Sequence, residues 1–208
     1  MRSITSRMTG AVLLALVATG CAGTAPTRFY QMVPVVDPDV VAKSPTRLLA
    51  LSQVQFPEYL DRPEIVTRAT DTRLTVADFD QWSEPLPGMF SDVLAENLRR
   101  TLGGEHMVVI PSDRGFSPTM ELDVNVLRFD VDAAGRIVLD ARWRLFDGDG
   151  RLLATERSEL VEQATPGDYP SIVDGMSEAV GALAAQVVTT LPAAVKKAGS
   201  ANERKRET

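Results

Sequence analysis

The chain has 208 residues, 44% of them hydrophobic and 24% charged, as expected of one globular domain with a real core. Its formal net charge is −6, and this acidic balance does not suit nucleic acid or an anionic membrane surface. With one His and one Cys in the whole chain, a soft-metal site is implausible.

The N-terminus reads as an export signal. Residues 1–10, MRSITSRMTG, carry Arg2 and Arg7 and no acid, and AVLLALVA (11–18) is an apolar run too short to span a bilayer. Ala18, Thr19 and Gly20 then run directly into Cys21. This is similar to a bacterial lipobox, in which the cysteine becomes the first mature residue and its sulfur carries diacylglycerol. Ala18 stands where Leu is commoner, and an ordinary cleaved signal with an incidental cysteine is the alternative. Cys21 has no partner for an intrachain disulfide. It also lacks a plausible His and Asn/Asp set for nucleophilic catalysis. Stable anchoring takes more than one acyl chain, each contributing about 0.8 kcal/mol per buried CH₂. Ala22, rather than Asp, follows Cys21 and favours the outer membrane. Removal of residues 1–20 takes away two arginines and no acid, so the net charge falls from −6 to −8. The tether from Ala22 to Arg28 reaches at most about 25 Å, which holds the folded body close to the membrane.

Strands are expected at Arg28–Val33, Arg47–Gln55, Glu64–Arg68 and Arg73–Val76, the last two joined by a turn at Thr70-Asp71. Between them lie a loop with Pro38 and Pro45 and the Pro-punctuated stretch FPEYLDRP (56–63). Phe90, Val93, Leu94, Leu98 and Leu102 form one helical stripe, preceded by Pro85 and Pro87 and stopped by Gly103-Gly104. His106–Ile110 reads as a short strand. In Met120–Asp130 the apolar positions 120, 122, 124 and 126 shift to 127, 129 and 131, which predicts a bulge near Val126-Leu127 or a Phe129 used on the opposite face. In Ile137–Phe146, Ile137, Leu139, Ala141, Trp143 and Leu145 point one way, and Asp140, Arg142 and Arg144 the other. Asp147-Gly148-Asp149-Gly150 is a hairpin signal, and Arg151–Val161 completes the pair. A last helix begins after Asp168 as N-cap, with Ile172, Met176, Val180, Leu183, Val187 and Leu191 as its stripe and a small-residue back suited to close packing.

These elements predict a single α+β domain in two layers: an antiparallel or mixed β-sheet with two amphipathic helices packed on one face. The domain plan is a signal peptide (1–20), an acylated Cys and tether (21–27), a folded domain (28–192) and a disordered polar tail (193–208).

Catalytic patterns are not found. No HExxH, CxxC, GxSxG or P-loop run occurs, the lone His106 opens an apolar strand, and near pairs among 28 acids are expected by chance. Neither an enzyme activity nor a cofactor is therefore expected. Two segments remain chemically unusual, FPEYLDRP (56–63) and DQWSEPLPGMF (80–90), whose rigid loops hold Tyr, Trp and Arg in the manner of interface anchors. The plainer alternative has Trp82 and Tyr59 closing over the core edge and Arg62 pairing with Glu58 or Glu64.

Four stretches in order, RFYQMVP (28–34), FPEYLDRPEIVTR (56–68), QWSEPLPGMFSDVLAENLRRTLG (81–103) and FDVDAAGRIVLDARWRLFDGDGRLL (129–153), resemble the ABC-type transport auxiliary lipoproteins. The resemblance continues through the last helix. It implies a non-catalytic lipoprotein at the periplasmic face of the outer membrane, in a trans-envelope lipid transport system. The implied partners are an MCE-type periplasmic tunnel protein and an integral inner-membrane component, with a homo-oligomeric ring around the tunnel's distal end. Tyr59, Asp61, Arg62, Trp82, Glu84 and Pro85 then become candidates for ring or tunnel contacts, and Cys21 for lipidation. The alternative is a periplasmic lipid-binding carrier accompanying an ABC transporter, with phospholipid held between sheet and helices in an apolar cavity of several hundred Å³.

Overall fold

The computed structural model describes residues 25–35, 47–52, 54–102, 107–111 and 118–206. Cys21, His106 and the Gly103-Gly104 pair fall outside the described residues, as do the signal segment and the Pro38/Pro45 loop.

The architecture is the expected α+β sandwich of one sheet and two helices. Its elements are β1 (Arg28–Tyr30), β2 (Arg47–Leu51), a 3₁₀ turn (Glu58–Leu60), β3 (Glu64–Thr70) and β4 (Arg73–Trp82). Then come α1 (Leu86–Thr101), β5 (Met107–Pro111), β6 (Met120–Asp132), β7 (Arg136–Asp147), β8 (Leu152–Gln163) and α2 (Tyr169–Arg206). All eight strands among the described residues join one mixed sheet.

The long strand β6 organises that sheet. Along one edge it pairs antiparallel with β7, which pairs antiparallel with β8. Its other edge is shared by two strands in succession. β2 runs parallel to its start, from Leu49↔Met120 to Leu51↔Leu122, and β3 runs parallel to its end, at Thr67↔Val131 and Arg68↔Asp132. β5 extends the first branch, and β4 and β1 extend the second. The sheet therefore forks along β6. The chain between the branches still follows β6 through Gln55, whose carbonyl accepts from the Val126 amide at 2.8 Å, before turning away at Phe56.

The register of β6 on β7 shifts between Val126 and Arg128, which is the bulge that the change of apolar parity predicts. It returns Phe129 and Val131 to the same face as Met120, Leu122, Val124 and Val126, all of them buried. Across from them, Ile137, Leu139, Ala141, Trp143 and Leu145 of β7 are buried as expected. The β7–β8 connection closes with the Gly150 amide on the Asp147 carbonyl at 2.9 Å. Gly150 has φ +78°, where a side chain would be strained.

Both helices cover this one face. Pro85 is the N-cap of α1, and its ring-fixed φ of −54° leads into the first turn without a side-chain cap. The helix buries Leu86, Met89, Phe90, Val93, Leu94 and Leu98 at three- and four-residue spacing. Phe90 is the centre of an aromatic chain, edge-on to Phe56 at 5.1 Å and to Phe129 at 5.5 Å. Phe56 enters at the fork, so the sheet's branch point is filled by aromatic packing. α2 lies across β7 and β8 and against α1. It is long and apolar enough to cross a membrane by composition, yet its stripe from Ile172 to Leu191 is buried within the domain. Close approach is made possible by Gly181, where a Cβ would sit 2.5 Å from the Val35 carbonyl oxygen.

Three expectations are corrected. β4 does not end near Val76 but continues to Trp82, so Trp82 closes a strand rather than sitting in a loop. A register shift between Glu64 and Val66 breaks the alternation that would have revealed this. The last helix does not stop at Pro192. It runs to Arg206, and the polar tail expected from residue 193 is helical as far as that residue. An internal proline removes one backbone bond; burial of Ala194 and Ala198 and a 2.8 Å bond from Lys197 Nζ to the Leu153 carbonyl hold the segment on the sheet edge. Finally, the β1 strand is shorter than Arg28–Val33, ending at Tyr30.

Candidate functional site

The two unusual segments meet. After Phe56, Pro57 sets an extended backbone and the chain makes a single 3₁₀ turn, with Leu60 buried as its apolar anchor. The Leu60 amide donates to the Pro57 carbonyl at 3.0 Å and the Arg62 amide to Leu60 at 2.9 Å. The Trp82 amide then donates to the Pro63 carbonyl at 2.7 Å, which ties this turn to the end of β4, and the Ser83 amide donates to Tyr30 of β1 at 2.9 Å. Pro85 follows at once and launches α1. Backbone bonds between two Pro-bounded turns therefore shape the place, with Leu60 and Trp82 turned inward and Asp61, Arg62 and Glu84 exposed.

The result is a surface cleft of about 280 Å³ lined by Asp61, Arg62 and Pro63 on one wall and Trp82, Ser83, Glu84 and Pro85 on the other. Five of the six residues singled out from sequence thus share one site. The indole of Trp82 is only 4% exposed, so it forms the floor and belongs to the core as well. Arg62 pairs with Glu64 at 3.3 Å in a solvent-exposed contact. Glu84 accepts from Gln31 Nε2 at 3.4 Å, a long and exposed bond. The cleft thus combines an apolar floor with an exposed cation and two exposed acids on its rim, the composition of a recognition surface.

Tyr59 is elsewhere. Its hydroxyl donates to Asp130 Oδ2 at 3.1 Å. Burial, then the neighbouring Asp130 charge, pushes its pKa up to about 12. Asp130 is a residue that sequence reasoning missed. It lies between Phe129 and Val131 with no solvent exposure, and it is satisfied by Arg68 (Nη2 at 2.6 Å), Arg128 (Nε at 2.8 Å) and Tyr59. A second missed cluster fastens β1 to β4. Arg28 makes a bidentate pair with Asp80, both bonds at 2.7 Å, and the Tyr30 hydroxyl donates to Asp80 at 2.9 Å. The Arg28 hydrogen bonds hold the Asp80 carboxyl below its ordinary value, against the opposing effect of burial. Local spacing offers only Arg128, two residues from Asp130; the other partners of both acids lie 50 or more residues away. A further cavity of about 610 Å³ lies on the helix-free face of the sheet and is lined by polar side chains, among them Glu121, Asp123, Asn125, Arg142 and Arg144.

A family model for the ABC-type transport auxiliary lipoprotein component matches residues 30–188, which spans both cleft segments and every described element from β2 to β8. The chain belongs to that family. Two curated relatives, each called "Intermembrane transport lipoprotein PqiC", from Escherichia coli (strain K12) and Shigella flexneri, are 28% identical over 143 residues. The match covers 68% of this chain and 74% of theirs. Among solved structures, protein XCC0632 from Xanthomonas campestris superposes with a TM-score of 0.69 at 17% identity. It covers 83% of this chain and 99% of its own. An uncharacterized protein superposes with a TM-score of 0.68 at 23% identity, over 80% of this chain and 99% of its own. At these identities the two structures speak for the fold, and the family model for the family.

Proposed function

We propose that this ABC-type transport auxiliary lipoprotein is the outer-membrane subunit of a trans-envelope lipid transport system. It docks or caps the distal end of an MCE-type periplasmic tunnel as a homo-oligomeric ring, held to the membrane through an acylated Cys21, with an inner-membrane component completing the system. It does no covalent chemistry of its own. The observation that carries this reading is the convergence of Asp61, Arg62, Trp82, Glu84 and Pro85 on one cleft from segments about 20 residues apart. A rigid backbone frame, an apolar floor and a mixed-charge rim suit docking to a protein surface better than turnover of a substrate. Membership of the family and the "intermembrane transport" role in the PqiC names support the transport context.

The test is capture from membranes. Acylated protein should retain a tunnel-type partner and sediment with outer membrane, Cys21→Ser should lose the membrane, and Arg62→Glu should lose the partner while staying folded and acylated. Light scattering at rising concentration should show a closed oligomer. A strict monomer that captures no tunnel protein sinks the reading. Copurification of phospholipid with delipidated protein would point to a carrier instead.

A further inference from the structure

Where the β3–β4 and β6–β7 turns come together, a second cleft of about 270 Å³ is lined by Arg68, Arg128 and Arg136 with Thr70, Asp71 and Asp132. It shares no residue with the docking cleft and does not depend on that reading. Its charges do not cancel pair by pair. Asp130, buried beneath it, is one carboxylate serving two guanidiniums, Arg68 through Nε and Nη2 and Arg128 through Nε. The neighbouring acids are already engaged. Asp132 holds Arg136 at 3.1 Å and accepts from the turn amides of Ala134 and Arg136 at 2.9 and 3.0 Å. Asp140, opposite Arg128 in the β6–β7 register, is held by Arg157 through two bonds at 2.9 and 2.7 Å. Arg128 is thus one positive charge beyond these pairs. Asp71, exposed on the β3–β4 turn, offers Arg68 its backbone carbonyl and is the acid left to oppose an anion in the cleft.

The guanidiniums are also positioned in advance. The side chains of Arg68 and Arg128 are 17% and 26% exposed. Arg68 is held at three of its nitrogens, and Arg128 at Nε alone. The two terminal nitrogens of Arg128 therefore make no hydrogen bond among the described residues, and they present a planar fork of donors at the cleft. Such a fork matches the paired oxygens of a phosphate, and a guanidinium fixed before binding loses little freedom on forming the contact. Arg136, exposed at the rim, adds a third cation within the same lining.

We propose that this cleft is a phosphate-binding site, with Arg128 as the clamp, held in place by the Asp130 carboxylate that Arg68 fixes from its other side. The phosphate is that of a lipid headgroup or free in solution.

The test is calorimetric titration of the full chain, produced without acylation, at low ionic strength. Inorganic phosphate, a water-soluble dihexanoyl phosphatidylglycerol and acetate are the three probes. Phosphate binding should weaken with salt, fall at least tenfold in Arg128→Gln and tighten several-fold in Asp71→Asn. Binding of phosphatidylglycerol tighter than inorganic phosphate assigns the headgroup as the source; equal or weaker binding assigns free phosphate. Affinities for both phosphates unchanged in both variants, no binding by the wild type, or acetate binding as tightly as phosphate would each overturn the proposal. If Arg128→Gln fails to fold, Asp71→Asn on the exposed turn decides alone, since it lies outside the buried network.

Discussion

On the helix-covered face of the sheet, Phe129, Val131, Leu139, Ala141 and Trp143 lie under α1 and α2 with almost no solvent access. On the other face the same strands carry Asp123, Asp140, Arg142, Arg144 and Arg157, largely as ion pairs in contact with water. The alternation of strand side chains sends one sequence to two physical environments. The covered face is stabilised by apolar burial and shape, so each residue is constrained by its neighbours' volume. The open face holds exposed pairs that contribute little each to stability, and its residues are free to serve recognition. One place breaks this division: Asp130 and its register partner Val138 lie on the open face but are buried, Asp130 beneath Tyr59, Arg68 and Arg128.

The largest effect should come from the covered face. Trp143→Ala removes a buried indole and its 2.9 Å bond to Ser158 Oγ, which in turn donates to Gln186 of α2 at 2.5 Å. Loss of about 3–5 kcal/mol is expected, read from urea unfolding. A loss below about 1 kcal/mol would mean that the sheet and α2 are not held by close packing. Next in size is Asp130→Asn. It leaves two partly buried guanidiniums without their shared carboxylate, and a cost of about 3 kcal/mol is expected. If it cost no more than an exposed pair, Asp130 would belong to the ordinary open face after all.

That exception also marks the limit of what the sequence discloses. The parity change across Val126 and Arg128 discloses the bulge, and the alternation in β7 discloses its buried face, because both are local consequences of the two-residue period. Burial of Asp130 is not local: it depends on Tyr59 and Arg68, brought from other segments. Asp80 is likewise buried by Arg28 and Tyr30, and its position obscures the end of β4. Pro192 reads as a helix stop, a rule overridden by burial of Ala194 and Ala198 against the rest of the domain. The cleft residues stand out by composition, but their convergence rests on long-range backbone pairing, the Glu64↔Gln81 register and the bond from the Trp82 amide to Pro63.

Acid should separate the two faces without mutation of the core. Hydrogen bonds from Arg157 hold the Asp140 carboxyl below its ordinary value, with burial opposing. Those from Arg28 do the same for Asp80. A carboxyl depressed in the folded state contributes its stability fully above the unfolded value, near pH 4, and loses it as pH falls through the folded value. Stability should therefore decline below about pH 4–5. Asp140→Asn should flatten that decline, whereas Trp143→Ala should lower the whole curve and leave its slope unchanged. Equal slopes in wild type and Asp140→Asn, measured by urea unfolding across pH 2–6, would show that the Arg157 pair does not respond to acid as its geometry requires.

The smallest stability effect belongs to Arg62 in the docking cleft, where the two kinds of residue stand side by side. Trp82 is as buried as the core, so Trp82→Ala should cost several kcal/mol, on the order of other buried indoles. It is then no clean probe of binding. Arg62 is different: its side chain is 43% exposed and its contact with Glu64 is 3.3 Å long. Arg62→Ala should change stability by less than about 0.5 kcal/mol. Any loss of partner capture in that variant then reports recognition and not folding. A melting curve for Arg62→Ala that drops as far as that of Trp82→Ala would make Arg62 a structural residue, and the rim of the cleft would lose its claim to be an interface.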